Sequence, residues 1–256
     1  YLFSHWNGES FSDSNKSSTT LTLLNDQNVS AVFSLKSTDL RVLSLQSSPT
    51  LAGTTSGSGN YESEPQVTIT AHALEGYSFV EWLGSGPKDS KSPTTTVDLK
   101  NDLNLTALFE INSYELLLDS TSGGITIGDG NYSFDSSVQI SAEPAIGYYF
   151  AGWTGEGIND PISSLTFVKM NQNRRLTASF KKLQFALSLS GGNGGIAQGE
   201  GSFYYGENAK ILAIPSQGFR FQSWNGTGVE NPTSSETTVR MTSSRELQAK
   251  FVELEV

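Results

Sequence analysis

Tryptophan occurs four times in this chain, and its positions set the scale on which the chain can fold. Trp6, Trp82, Trp153 and Trp224 are spaced by 76, 71 and 71 residues. Each is followed 27 residues later by Phe33, Phe109, Phe180 or Phe251, and two residues before that Phe stands Ala31, Ala107, Ala178 or Ala249. Phe3, Phe79, Phe150 and Phe221 precede the tryptophans by three residues, and Gly8, Gly84, Gly155 and Gly226 follow them by two. A recurrence of this kind means tandem copies of one structural unit, not a single continuous core. Upstream of the last three tryptophans, Tyr61, Tyr132 and Phe203 each follow a Gly-x-Gly-x string. The copies are therefore 40–110, 111–181 and 182–256, and residues 1–36 read as the C-terminal half of a fourth copy. Opening inside a copy predicts a longer array. The excess in the first spacing falls on Leu35, Lys36, Ser37, Thr38 and Asp39, which predicts a slack first joint. The joints at 110–113 and 181–184 are expected to be short and stiff.

Within one copy the apolar residues alternate with period two, the signature of strands with one buried face. Tyr114, Leu116 and Leu118 open the second copy, and Val138, Ile140 and Ala142 follow a Gly-rich turn. Val168 and Met170 come next, and Leu176, Ala178 and Phe180 close it. About six short strands in 71 residues leave little room for a helix; single turns around 101–103 or 171–173 are the only candidates. The tryptophan strand breaks the alternation. Tyr77 and Phe79 share a face, and Trp82 falls on the other. Either a β-bulge returns the tryptophan to the core, or the tryptophans form an exposed ladder for stacking on sugars. The core reading is preferred, because a unit of this size needs a large apolar anchor. On that reading Trp6, Trp82, Trp153 and Trp224, with Phe33, Phe109, Phe180 and Phe251, are the structural core signature.

The string Gly147, Tyr148, Phe150, Trp153, Gly155, then Val168 and Met170, then Leu176, Ala178 and Phe180, resembles the divergent form of the internalin B-repeat, also called the Listeria–Bacteroides repeat. The 71-residue equivalents carry the same pattern over nearly the whole chain. The resemblance implies small β-grasp-like modules in tandem on secreted or surface-anchored bacterial proteins. Internalin B-repeats proper carry a short helix. The family has no catalytic residues to carry over, and its modules serve as stalks, spacers or adhesion units. The expected fold is thus mainly β, with tandem β-rich modules, β-grasp-like or small β-sandwiches, in an elongated array with little or no helix.

Composition narrows the chemistry. There is no Cys, which removes disulfides, thiolate metal sites and Cys nucleophiles. The net charge of −10 argues against nucleic acid or an anionic membrane as partner. No apolar run reaches the length of a membrane span, so no membrane insertion is expected. The two histidines, His5 and His72, do not recur between copies, and no nucleophile elbow, P-loop or zinc-protease motif occurs. No catalytic residues are assigned, and no enzymatic activity or cofactor is expected.

Two sets of residues remain as candidate sites. Asp129, Asn131, Ser133 and Asp135 offer oxygens at alternate positions, as the start of a calcium loop does, but Phe134 and Ile140 occupy the places of its glycine and closing glutamate. An exposed hairpin edge is the preferred reading and a weak Ca2+ site the alternative. Tyr149, Tyr204 and Tyr205 are aromatic residues that differ between copies: Ser78 aligns with Tyr149, Glu62 and Ser133 with Tyr204, and Ser63 and Phe134 with Tyr205. They are the candidate binding aromatics. The leading functional reading is a structural spacer or stalk in an extracellular or cell-surface bacterial protein of adhesin type, whose partners are neighbouring repeats. The alternative is a module that binds a glycan or a host surface protein, including an accessory region of a secreted polysaccharide-acting enzyme.

Overall fold

A computed structural model describes residues 1–36, 40–62 and 65–255. Ser37, Thr38 and Asp39 of the expected slack joint lie outside the described residues. The chain divides into two compact units, Tyr1–Ile111 and Asn112–Val256. Among the described residues every regular element is a strand, and the segments 101–103 and 171–173 form no helical turn.

The first unit opens with an antiparallel hairpin of β1 (Leu2–Asn7) and β2 (Ser30–Ser34). It continues with β3 (Leu40–Ser48), β4 (Gly53–Ser56), β5 (Gly59–Glu62), β6 (Gln66–Ala73), β7 (Tyr77–Leu83), β8 (Thr94–Asp98) and β9 (Leu103–Ile111). The second unit holds two copies of that seven-strand pattern. The first is β10 (Ser113–Ser120), β11 (Gly124–Ile127), β12 (Gly130–Ser133), β13 (Ser137–Pro144), β14 (Tyr148–Thr154), β15 (Leu165–Lys169) and β16 (Arg174–Lys182). The second is β17 (Gln184–Ser190), β18 (Gly195–Gln198), β19 (Gly201–Tyr204), β20 (Asn208–Pro215), β21 (Phe219–Asn225), β22 (Glu236–Arg240) and β23 (Arg245–Glu253).

Each seven-strand repeat makes two sheets, and the chain crosses from one to the other at every turn. In the middle repeat the four-stranded sheet has the order β12-β10-β16-β14 and the three-stranded sheet β11-β13-β15. The first and last strands, β10 and β16, lie side by side and parallel, and the other pairs are antiparallel. Both sheets feed one core. Leu116, Trp153, Leu176, Ala178 and Phe180 enter it from the four-stranded sheet, and Val138, Ile140, Ala142 and Val168 from the other. The module is a small β-sandwich in which a second sheet covers the mixed one. The flanking repeats repeat the arrangement with their own clusters.

A bulge resolves the broken alternation. Phe150 faces Phe180 across β14 and β16, and Gly152 faces Ser179, so Ala151 is the extra residue. The shift returns Trp153 to the inner face, where it is 4% exposed; Trp82 and Trp224 are 2% and 4% exposed after the same shift. The loop after each tryptophan then folds over it. The Trp153 backbone N–H donates to the Pro161 carbonyl (2.7 Å) and its indole N–H to the Ser163 carbonyl (3.1 Å). Asp160 shapes the loop, its carboxylate accepting the Ile162 N–H (3.1 Å) and its own N–H donating to the buried Thr166 hydroxyl (3.0 Å). Asp13, Asp89 and Asn231 make the same turn with Thr19, Thr95 and Thr237. The aromatic contacts also recur, with Phe150 5.8 Å from Trp153 and 6.0 Å from Phe180 between ring centroids.

The core signature does not hold evenly. Phe109 and Phe180 are buried and Phe251 is half-buried, but Phe33 is 58% exposed and Trp6 only half-buried. The hairpin of β1 and β2 has no three-stranded sheet facing it among the described residues. Phe3 still contacts Trp6 and Phe33, and Phe11 stacks on Trp6, without a second layer to complete the enclosure.

Trp153→Ala is expected to cost the middle repeat about 3–5 kcal/mol, the range for a large buried aromatic, whereas Phe33→Ala costs less than about 1 kcal/mol. Denaturant-dependent hydrogen exchange of the β13 and β16 amides in the whole chain measures the first. Exchange of the β1 and β2 amides measures the second.

Candidate functional site

The outer surface is where the copies differ, and one open hollow collects the differences. It has a volume of about 400 Å³ and is lined by Tyr149, Lys181, Lys182, Gln184 and Tyr204. All five sit on or beside the joint between the two repeats of the second unit. Strand alternation places them: Phe150 and Phe180 point into the core, so their neighbours Tyr149 and Lys181, which pair across β14 and β16, point out. Phe203 faces inward on β19, so Tyr204, opposite Gln184 of β17, faces outward. Tyr149 and Tyr204 are 45% and 46% exposed.

The joint holds the hollow's two walls together. β16 runs through Lys182 and β17 starts at Gln184, so Leu183 alone connects them, one or two residues beyond the boundary that the sequence spacing places at 181/182. The Leu183 N–H donates to the Gly147 carbonyl (2.8 Å), and the Leu183 carbonyl accepts the Tyr205 N–H (2.9 Å). The Tyr205 ring packs on Phe185, 6.5 Å between centroids, and covers Gly147 so closely that an added Cβ there would lie 2.5 Å from the ring. Tyr205 is therefore a joint residue and does not line the hollow, unlike its neighbour Tyr204.

Charge distinguishes this hollow from the others. Among the described residues neither Lys181 nor Lys182 forms a salt bridge. The Lys182 ammonium lies 6.0 Å from the centre of the Tyr204 ring, at the outer limit of a cation–π contact. The Glu207 carboxylate accepts the Tyr204 N–H (2.7 Å). A hollow at Gly155, Arg174 and Arg175 has its cations already engaged. There Arg174 donates to the Lys169 carbonyl and to Asn171, and Arg175 donates both its bonds to Asp119, holding that carboxyl below its usual range.

The other candidates do not assemble. Asp129 precedes β12, Asn131 lies on it and Asp135 sits in the turn beyond it, with a left-handed φ of 65°. Asp135 pairs with Lys169 (2.6 Å). No group of three or more His, Cys, Asp or Glu side chains able to hold a metal occurs among the described residues. His5 contacts the Ser4 hydroxyl (3.0 Å), and His72 is exposed on β6.

Sequence reading picked out Tyr149 and Tyr204 and passed over Lys181, Lys182 and Gln184. The usable signal was comparison between copies: the aligned pairs are Glu110 and Ile111 in one and Val252 and Glu253 in the other.

Three segments, 43–113, 114–184 and 185–254, match the model of the divergent InlB B-repeat domain. The chain belongs to this family. InlB-type B-repeats occur in bacterial surface and secreted proteins and are not typically catalytic. Among solved structures, the Bacillus anthracis TIE protein is similar, with 10% identity and a TM-score of 0.40. That match covers 91% of this chain and 55% of the other. No curated protein sequence matches.

Gly147 and Gly218 offer a controlled test of the joint in this B-repeat pair. Both have left-handed backbone, with φ of +87° and +85°, but a Cβ at Gly218 would meet nothing within 4 Å. Gly218→Ala should therefore cost only the backbone term, about 1–2 kcal/mol. Gly147→Ala should cost a further 1–3 kcal/mol or so by displacing Tyr205. Chemical unfolding of each variant measures the difference, and equal losses would show that the Tyr205 contact contributes nothing.

Proposed function

We propose that this chain is a non-catalytic structural spacer in an extracellular or surface-attached bacterial protein of adhesin type. The observation that carries the reading is the one-residue joint at Leu183, clamped on both sides by backbone hydrogen bonds and capped by Tyr205 on Gly147. A spacer has to transmit orientation from one module to the next. A flexible linker would lose it, because each added residue extends reach by up to about 3.5 Å. Self-contained cores in tandem also suit a role in which length matters more than a single active centre. Membership of the B-repeat family supports the same reading.

The absence of native cysteines makes a direct test possible. Spin labels on Gln139→Cys and Lys210→Cys, which occupy equivalent exposed positions on β13 and β20, report the distance between the two modules. A narrow distance distribution is expected in the native chain. Insertion of Gly-Ser-Gly after Leu183 should broaden it severalfold. Equally broad distributions with and without the insertion would count against the spacer role.

A further inference from the structure

We infer that the hollow formed by Tyr149, Lys181, Lys182, Gln184 and Tyr204 is a binding site for a polysaccharide bearing uronic-acid carboxylates. This goes beyond the spacer role and does not depend on it. The combination of side chains points to this ligand. Two half-exposed tyrosine rings give flat apolar faces on which sugar rings stack. Two ammonium groups without a salt bridge among the described residues stand beside them, in a chain whose net charge is −10. Leaving two adjacent lysines without carboxylate partners in so acidic a chain is the charge complement of an anionic ligand. The Gln184 side-chain amide supplies both a donor and an acceptor for sugar hydroxyls.

The site is also held ready. All five of its residues sit on strands paired in register, and Tyr205 fixes the segment that carries Tyr204. Little conformational freedom is lost when such a surface takes up a ligand. The combination is particular to this joint. At the positions of Tyr149, Lys181 and Lys182 the first complete repeat has Ser78, Glu110 and Ile111, and the last has Arg220, Val252 and Glu253.

The test uses the whole chain and isothermal titration with oligogalacturonate, a neutral dextran of similar length, and poly-L-glutamate. Oligogalacturonate is expected to bind, with affinity that falls as salt is raised. Tyr149→Ala and Tyr204→Ala should each weaken binding about tenfold. Lys181→Ala with Lys182→Ala should abolish the salt dependence, and Lys250→Ala, an exposed lysine elsewhere, should leave binding unchanged. Unchanged thermal unfolding of the variants separates loss of the site from loss of the fold. Equal binding of poly-L-glutamate would overturn the sugar assignment in favour of an acidic protein partner. Equal binding of dextran would remove the role of the lysines, and no binding of oligogalacturonate would end the proposal. None of these outcomes bears on the stiffness of the Leu183 joint.

Discussion

One extra residue in the strand before each tryptophan decides how this chain folds. A regular strand would put Trp153 on the face opposite Phe150; the bulge at Ala151 puts both in the core. A buried tryptophan removes about 150–250 Å² from water, which corresponds to about 4–6 kcal/mol as an upper figure. For a sandwich of some seventy residues that is a large share of what one core provides. The bulge also frees the tryptophan N–H from the strand ladder, and the following loop supplies its acceptor, the Pro161 carbonyl. Loop, indole and closing strand are thereby fixed together. In the first complete repeat the Trp82 indole N–H is buried without a partner. The backbone half of the clamp survives there, with the Trp82 N–H on the Ser90 carbonyl.

Most of the core was legible because it repeats. Leu116, Ile140, Val168 and Ala178 stand at alternate positions in segments that recur every 71 residues. The division of those segments between two sheets was not legible. A buried face with period two looks the same whichever sheet the strand joins, and the pairing of β10 with β16 closes a span of more than fifty residues. The fate of Phe33 was hidden for a related reason. Its local string matches that of Phe109, yet burial depends on a facing sheet that no local string encodes.

The candidate site divides in the same way. Tyr204 and Tyr205 are neighbours, but the preceding copy has Ser133 at the place of Tyr204 and Phe134 at that of Tyr205, so an aromatic ring recurs only at the second position. Tyr204 stays on the outer face as strand alternation requires, and Tyr205, just past the end of β19, turns onto Gly147 of the preceding repeat. That contact is between modules, so a reading confined to one copy does not reveal it. Asp129 and Asp135 differ in the opposite sense. Their spacing looks like a ligand set, but they stand beyond opposite ends of β12, and Asp135, in the turn after it, pairs with Lys169.

The joint also explains how a repeat array can acquire one distinct surface without disturbing its cores. Inward positions such as Phe150, Phe180 and Phe203 are constrained by close packing, where small volume changes are felt. Their immediate neighbours Tyr149, Lys181 and Tyr204 touch solvent and carry no such constraint. A single-residue connection brings outward positions of two modules within reach of one another, so changes on either side of Leu183 combine into one surface. Stiffness at the joint and local chemistry there are therefore linked: the contacts that fix Tyr205 on Gly147 are the ones that hold Tyr204 and Tyr149 on the same hollow.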